Sequence, residues 1–308
     1  MKKLNELLGI KYPLIQGGMA NIAMGEFAAA VTNAGGLGLV GAGGMTVDSL
    51  RENIRIAKDK ANGPFGVNLM LMHPAVDDMA QVVLEEGVKI VTTGAGIPSK
   101  YMDDWKNAGI KVIPVIPSCA MAKRMAQLGA DAVIAEGTES GGHVGELTTM
   151  TLLPQVVDTV DIPVIAAGGI ASGRQLAAAY ALGACGAQIG TCLLVSEECP
   201  IHDNYKAAVI KAKDSDTIVT GRTTGAPVRV LRNQMAREYV KKEKEGVDKM
   251  ELEQLTLGSL RRAVFDGDTK TGSLMAGQVA AQLKEIRPVK DILESIITEC
   301  DEVIAGLK

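Results

Sequence analysis

The chain has 308 residues, of which 47% are hydrophobic and 22% charged, a composition typical of a soluble globular protein that excludes a disordered chain. Its formal net charge of −4 argues against a general affinity for nucleic acid or for an anionic membrane surface. The sequence contains no secretory signal and no apolar run of the roughly 20 residues that a membrane-spanning helix needs. We therefore expect a cytoplasmic protein.

Short runs of apolar and β-branched residues recur along the first two thirds of the chain, each followed by a helical stretch. The eight predicted strands are Tyr12–Gln16, Leu37–Gly41, Phe65–Met70, Val88–Thr93, Lys111–Ile116, Ala132–Glu136, Pro163–Ala167 and Ala187–Thr191. Their first residues lie 21 to 31 positions apart, the length of one strand, one helix and two loops. The clearest predicted helices between them are Gly25–Asn33, Asp77–Glu86, Ala120–Leu128 and Gly173–Leu182.

Strands that alternate with helices pair in parallel, because each helical crossover returns the chain to the same end of the sheet. Continuous apolar strands such as Pro163–Ala167 are typical of a sheet that is covered on both faces. Eight such units predict an α/β fold, a (β/α)₈ TIM barrel. A doubly wound open sheet is the alternative.

A glycine pattern near the second strand resembles a dinucleotide-binding fingerprint. Gly36, Gly38 and Gly41 fit G-x-G-x-x-G, and Asp59 follows about 20 residues later. In that fingerprint the glycines follow a strand and open a helix. Here they enclose Leu37–Val40, which is itself the predicted strand, so we interpret them as part of the strand.

The regular alternation ends after Thr191. Residues 200–264 are rich in charged helical patterns, notably Val228–Lys244, and we predict that they form a small, mainly helical cap inserted after the eighth strand. The amphipathic stretch Pro288–Leu307 is predicted to be the helix that closes the barrel. The barrel would then comprise residues 1–199 and 265–308.

The five cysteines form no C-x-x-C pair, and their number is odd. They are Cys119, Cys185, Cys192, Cys199 and Cys300. We predict reduced, buried thiols and no metal site, because three of them recur at a spacing that does not match known zinc sites.

Ligands of TIM barrels bind at the carboxyl ends of the strands, and phosphates commonly bind after strands seven and eight. Gly168-Gly169 and Gly190-Thr191 stand at these two positions. Ser172–Arg174 then opens a helix whose amino terminus would add amide donors. We predict a phosphate site here, the alternative being glycines that serve only to turn the chain.

The loop after the sixth predicted strand, Glu136–Glu146, hereafter the histidine loop, contains the highest density of residues that could take part in catalysis or binding. His143 follows three small residues in this loop, at the carboxyl end of a strand, which indicates a functional imidazole rather than a structural one. His73 and His202 have no such setting, and we interpret both as structural.

Several segments in a fixed order resemble the FMN-dependent nitronate monooxygenase superfamily, and within it most nearly the flavin-dependent (FabK-type) enoyl-acyl-carrier-protein reductases. The segments are Ile15-Gln-Gly-Gly-Met-Ala20, Phe65-Gly-Val-Asn-Leu-Met70, Ile134–Glu146, Val164-Ile-Ala-Ala-Gly-Gly-Ile170, Gln188-Ile-Gly-Thr191 and Gly272-Ser-Leu-Met-Ala-Gly-Gln278. The monooxygenases typically carry Arg directly after Gly-Gly-His. This chain has Val144 there, as the reductases do.

The resemblance implies an FMN site that includes the predicted phosphate site. The phosphate would lie on Gly168, Gly169, Gly190 and Thr191, and the flavin ring would be lined by Gln16, Gly17, Gly18, Met19 and Asn68, with Gly141 and Gly142 in the histidine loop. Glu136 and Gln188 would add polar contacts, and Met275, Gly277 and Gln278 would approach from the segment after the cap.

The implied reaction uses NADH or NADPH as co-substrate and reduces a trans-2-enoyl thioester carried by acyl carrier protein. His143 would donate a proton or polarise the thioester carbonyl. The resemblance further implies a homodimer. Two alternatives remain open: nitronate oxidation by oxygen on the same flavin, and a non-redox barrel that binds a phosphorylated ligand.

A run of basic residues lies in the predicted cap. Residues 222–244 contain only two acidic residues, Glu238 and Glu243, and seven basic ones. The basic residues are Arg222, Arg229, Arg232, Arg237, Lys241, Lys242 and Lys244. Acyl carrier proteins are strongly acidic, so this run is a candidate docking surface, the alternative being a solvated helix face.

Overall fold

The computed structural model describes residues 4–307, and its central element is a barrel of eight parallel strands. Numbered along the chain, they are β1 (Leu14–Gln16), β2 (Gly38–Gly41), β3 (Phe65–Met70), β4 (Ile90–Gly94), β5 (Lys111–Ile116), β6 (Val133–Glu136), β8 (Val164–Ala167) and β9 (Ala187–Ile189). The last strand pairs with the first, Leu14 opposite Ala187. A parallel bridge between Ile15 and Leu37 joins β1 to β2 and completes the ring. The predicted TIM barrel is confirmed, with all eight strands in their expected places.

Thirteen α-helices occur in the described residues, most of them around the barrel. They are α1 (Leu4–Leu8), α2 (Gly25–Asn33), α3 (Val47–Lys60), α4 (Val76–Glu85), α5 (Met102–Asn107), α6 (Cys119–Gln127), α7 (Thr149–Val157), α8 (Gly173–Ala181), α9 (Asp203–Lys211), α10 (Gln234–Lys244), α11 (Lys249–Thr256), α12 (Ser259–Phe265) and α13 (Val289–Gly306). The helices predicted most clearly from the sequence end within one residue of these bounds. No helix within residues 4–307 combines the length and apolar character needed to cross a membrane.

The barrel interior is filled by alternate residues of the strands. Ile15, Leu39, Ile113 and Ile165, from strands around the whole ring, belong to one buried cluster, which is possible only inside the barrel. The same cluster contains Leu4 and Leu8 of α1, so this short helix closes the amino-terminal end. Ligands can therefore approach only from the opposite end.

The glycine pattern at β2 serves packing, as the sequence indicated. Gly38 begins the strand, and a Cβ atom there would lie 1.8 Å from the carbonyl oxygen of Ala28 in α2. Only glycine allows helix and strand to approach this closely. The dinucleotide fingerprint is therefore excluded.

The predicted helix Val228–Lys244 is wrong in its first part. Val228–Leu231 is a strand, β11, which pairs in antiparallel fashion with β10 (Thr217–Thr220), and only Gln234–Lys244 is helical. The other edge of β11 pairs with a two-residue strand, β7 (Gly142–His143). Residues 200–264, hereafter the inserted segment, are therefore attached directly to the histidine loop.

The predicted closing helix is confirmed as α13. It packs against α8, where the backbone of Gly173 lies so close that a Cβ atom would be 2.2 Å from the amide nitrogen of Cys300. The amide of Gly173 donates to Glu299 Oε2 at 2.6 Å. Helix α13 therefore takes the place of the eighth helix of the barrel.

Candidate functional site

The carboxyl ends of the barrel strands and the loops that follow them form the barrel mouth, where every predicted site residue before the inserted segment lies. Gly168 and Gly169 follow β8 with φ angles of 86° and 76°, a conformation that L side chains rarely adopt. Within residues 4–307 no protein group accepts a hydrogen bond from the amides of Gly168, Gly169, Gly190 and Thr191. Four free amides after adjacent strands suit an anion such as a phosphate.

The amino terminus of α8 offers fewer free amides than predicted. Gly173 donates to Glu299, and the amide of Ala171 donates to Gln175 Oε1 at 2.9 Å. Within residues 4–307 no protein group accepts from the amides of Ser172 and Arg174. The free donors at this position therefore come from the loops after β8 and β9 and from the start of α8.

Three buried polar atoms at the barrel mouth have no protein partner. They are Gln16 Nε2, Thr93 Oγ1 and Ser140 Oγ, the last of which lies beside the carboxyl group of Glu136, and the described residues contain one further such atom, in Trp105. The other end of the Gln16 side chain is fixed, because its Oε1 accepts from the amide of Leu39 at 3.1 Å. Buried polar groups normally find partners, so their concentration here indicates a bound polar ligand.

The first and third strands contribute contacts that only glycine permits. A Cβ atom on Gly18 would lie 2.2 Å from Cγ of Asn68, so the Asn68 side chain rests directly on the glycine backbone. Thr92 Oγ1 donates to Asn68 Oδ1 at 2.8 Å, which orients the amide and leaves its NH₂ group as a donor. Met19 lies nearby, with its sulfur 3.8 Å from an ideal Cβ on Gly190.

The segment after the inserted residues returns to the mouth of the barrel. The amide of Gly277 donates to Thr191 Oγ1 at 2.9 Å, and that of Gln278 donates to the carbonyl of Glu139 at 2.9 Å. Met275 is half-buried, and its sulfur lies 3.6 Å from an ideal Cβ on Gly142. Two hydrogen bonds therefore fix this segment against the two loops that it faces.

Glu136 ends β6 at the mouth. Burial raises the pKa of its carboxyl group to about 7, because removal from water disfavours the charged form. At neutral pH a substantial fraction of this carboxyl is therefore protonated and can donate a hydrogen bond. Gln188 lies on β9 and is buried.

His143 stands on β7, held by the inserted segment. It pairs with Val228 of β11, and the next amide, that of Val144, donates to the carbonyl of Pro227 at 3.1 Å. The side chain is exposed, and the surrounding protein lowers the pKa of the imidazole because it desolvates the charged form. The lowered pKa favours the neutral imidazole, and the exposed ring can exchange a proton or a hydrogen bond with a ligand.

Two residues at the site were not singled out from the sequence, and a third, Arg229, was singled out only as a member of the basic run. The carboxylate of Glu139 accepts from the amide of Thr149 at 2.9 Å and so fixes the histidine loop to the start of α7. Tyr205 is fully buried and donates to the carbonyl of Met275 at 2.8 Å. Arg229 is buried beside the histidine loop. Only Arg229 had a local signal, the β-branched pattern of Val228–Leu231.

The remaining histidines and the cysteines have the structural roles expected of them. His73 Nδ1 accepts from the amide of Ala75, and His202 Nδ1 accepts from that of Asn204 at the start of α9. All five cysteines are free thiols, and four are buried, Cys119 being half-buried. Among the described residues no group of His, Cys, Asp or Glu side chains could hold a metal ion.

Comparisons with known proteins agree with this arrangement. FabK from Thermotoga maritima superposes with a TM-score of 0.97 at 48% identity, over 100% of this chain and 98% of that one. Nitroalkane oxidase from Streptomyces ansochromogenes superposes with a TM-score of 0.88 at 29% identity, over 99% of each chain.

Sequence relatives of nearly equal length carry the names of redox enzymes. A (3aS,4S,5R,7aS)-5-hydroxy-7a-methyl-1-oxo-octahydro-1H-indene-4-carboxyl-CoA dehydrogenase from Mycobacterium tuberculosis is 33% identical, covering 96% of this chain and 95% of the relative. A probable nitronate monooxygenase from Staphylococcus saprophyticus is 32% identical over 98% of each chain. The protein is an oxidoreductase. The family model for nitronate monooxygenase matches residues 1–299, and the chain therefore belongs to that family.

Proposed function

We propose that this protein is an FMN-dependent enoyl-acyl-carrier-protein reductase that uses NADH or NADPH to reduce trans-2-enoyl thioesters. The observation that carries the proposal is the 48% identity with FabK over the whole chain, against 29% with the nitroalkane oxidase. Val144 after Gly-Gly-His supports the same branch, because the monooxygenases typically carry Arg there.

The residues at the barrel mouth fit FMN. Its phosphate would accept from the free amides of Gly168, Gly169, Gly190 and Thr191, and its flat ring would lie in the glycine-lined slot beside Gln16, Gly17, Gly18, Met19 and Asn68. The proposed site is completed by Glu136, Gly141, Gly142, Gln188, Met275, Gly277 and Gln278. The unpartnered Gln16 Nε2 and Ser140 Oγ would find acceptors or donors in such a ligand. When bound, FMN supplies hydride transfer from the nicotinamide to the β-carbon of the thioester.

The residues of this chain would supply the proton and position the substrate. Hydride addition at the β-carbon requires a proton at the α-carbon, or a hydrogen bond to the thioester carbonyl while charge develops there. His143 is exposed at the mouth and is the candidate for either role. We further propose that the inserted segment caps the mouth, which the pairing of β11 with β7 supports. We also propose that the enzyme is cytoplasmic and a homodimer, the latter being what the resemblance implies.

Nitronate oxidation is the competing activity. It is supported by the family to which the chain belongs and by the relatives named nitronate monooxygenase. The two activities differ in what accepts electrons from the reduced flavin: the enoyl thioester in one case and molecular oxygen in the other.

A spectrum and an anaerobic assay decide between these activities. We expect the purified protein to be yellow, to bleach on addition of NADH or NADPH, and to recover its colour when crotonyl thioester is added without oxygen. Recovery only with oxygen, together with turnover of a nitroalkane, would contradict the proposal. A colourless protein that binds no added FMN would exclude both activities.

Not all basic residues of the inserted segment are available to form a carrier-protein surface. Arg229 is buried, while Arg222 and Lys242 form ion pairs with Glu146 and Glu251. The exposed set is therefore smaller: Arg232 and, along one stripe of α10, Arg237, Lys241 and Lys244. Lys241 has only a long contact of 3.8 Å to Glu245.

Charge reversal on this stripe tests carrier-protein docking. The triple variant Arg237→Glu, Lys241→Glu, Lys244→Glu is expected to raise KM for an enoyl group on acyl carrier protein about tenfold at low salt, because docking charges act mainly on encounter. KM for the same enoyl group on coenzyme A should change much less, and added salt should mimic the variant. Equal losses with both substrates would contradict docking at α10.

A further inference from the structure

Arg229 of β11 has a setting unlike that of the exposed basic residues of α10. Its side chain is only 7% exposed, and it makes two directed hydrogen bonds. Nε donates to the carbonyl of Thr138 at 3.0 Å, and Nη1 donates to Thr217 Oγ1 at 3.0 Å. One guanidinium group therefore joins β10 and β11 to the beginning of the histidine loop.

This buried cation forms no ion pair with a carboxylate in residues 4–307. Burial lowers the pKa of the guanidinium, although the carboxylate of Glu139 acts on it through space in the opposite direction. Burying a charge against neutral acceptors is costly, and a well-packed apolar residue is often at least as stabilising at such a position. Stability alone therefore does not explain an arginine at this position. The two directed hydrogen bonds that its guanidinium group makes explain it better.

The two ends of the histidine loop are both attached to Arg229. Its side chain holds the carbonyl of Thr138 at the start of the loop, and its backbone pairs with Gly142 near the end. The preceding residue of β11, Val228, pairs with His143 itself. Arg229 and Val228 therefore hold the part of the loop that carries the imidazole, in addition to the contact of Glu139 with the start of α7.

The same strand fixes the segment on the other side of the site. Val230 forms an antiparallel bridge with Met275, and the amide of Leu231 donates to the carbonyl of Leu274 at 2.8 Å. Strand β11 therefore lies between the histidine loop and the returning segment. Loss of the side-chain bonds of Arg229 would free the carbonyl of Thr138, while the backbone pairing of β11 with β7 and this second attachment remain.

We propose that Arg229 is a positioning residue that fixes the histidine loop, and so holds His143 where it meets the substrate. The inference rests on the proposed function only for the identity of the substrate. The positioning of the imidazole concerns this chain alone and can be measured without catalysis.

A double-mutant cycle tests whether Arg229 acts through His143. Arg229→Met is expected to slow reoxidation of the reduced enzyme by enoyl thioester about tenfold or more, with reduction by NAD(P)H changed less than about threefold. In the His143→Ala background the same substitution should have almost no further effect. Equal effects of Arg229→Met in both backgrounds would overturn the inference. Arg124→Met, which removes an exposed arginine of α6 away from the inserted segment, is the control and should leave both half-reactions unchanged.

Histidine titration by NMR gives a readout that needs no substrate. The chain has three histidines, so the signal of His143 can be assigned by its loss in His143→Ala. Arg229→Met is expected to raise the pKa of His143 towards its ordinary value, because a loosened loop relieves the desolvation by surrounding protein that lowers it. An unchanged titration of His143 would overturn the positioning role whatever the substrate of the enzyme.

Arg229→Lys distinguishes a loss of positioning from a folding defect in the methionine variant. Lysine keeps the charge but lacks the planar guanidinium group with its several donors, so it can replace only one of the two hydrogen bonds. We expect an intermediate effect on enoyl reduction and on the pKa of His143, with thermal unfolding close to that of the unchanged protein. Lysine and methionine variants that lose stability in proportion to activity, without a shift at His143, would contradict the inference.

Discussion

Replacement of His143 by alanine is expected to slow enoyl reduction about a hundredfold or more, which is the usual contribution of a general acid. The flavin should remain bound, because the side chain is exposed and lies outside the proposed phosphate cradle. Stopped-flow measurement separates the two half-reactions: reduction by NAD(P)H should persist, and reoxidation by the enoyl thioester should fail.

His73→Ala is the matched control for this prediction. His73 follows β3 at the same end of the barrel, but its Nδ1 accepts the amide of Ala75, so its loss should lower stability slightly and leave reoxidation unchanged. Unaltered reoxidation in His143→Ala would remove the histidine from the mechanism. Loss of flavin from that variant would instead assign His143 to cofactor binding.

Gly277→Ala is expected to weaken FMN binding about ten- to hundredfold. A Cβ atom there would lie 2.6 Å from the carbonyl oxygen of Glu139 and 3.2 Å from Thr191 Oγ1, and both are fixed by hydrogen bonds. Overpacking of this kind costs about 1–3 kcal/mol, and 1.4 kcal/mol corresponds to a tenfold change in affinity. Fluorescence titration of the flavin-free protein with FMN measures the change.

Gly94→Ala provides the same substitution at the end of β4, where no atom lies within 4 Å of an added Cβ. It should leave FMN affinity and thermal unfolding unchanged. If Gly277→Ala binds FMN as tightly as Gly94→Ala does, the returning segment does not shape the cofactor site.

The barrel could be predicted from the sequence because its signals are local. Each strand is a short apolar run, and glycines such as Gly87, Gly129 and Gly183 follow the intervening helices with positive φ angles. The hairpin of β10 and β11 also had a local signal, β-branched runs on either side of Gly221 and Gly225. The high charge of the following residues favoured a single helix, and that interpretation of Val228–Leu231 was wrong.

The supports of the site could not be predicted in the same way. The carboxyl-end glycines were identified because position in a barrel strand determines which end a residue occupies. In contrast, Arg229 meets Thr138 across 91 positions, and Tyr205 meets Met275 across 70. No spacing rule links residues that far apart, and a tyrosine or an arginine in a charged segment has many possible partners.

The position of α13 has a consequence for how the barrel forms during synthesis. The helix covers α8, yet Glu299 caps Gly173 from 126 positions further along the chain, and the whole inserted segment is translated in between. Until residues 289–306 emerge from the ribosome, the side of α8 that includes Gly173 and Tyr180 has no such cover. Closure of the helix ring is therefore a late, long-range step in synthesis, during which partly folded chains expose apolar surface to chaperones and to one another.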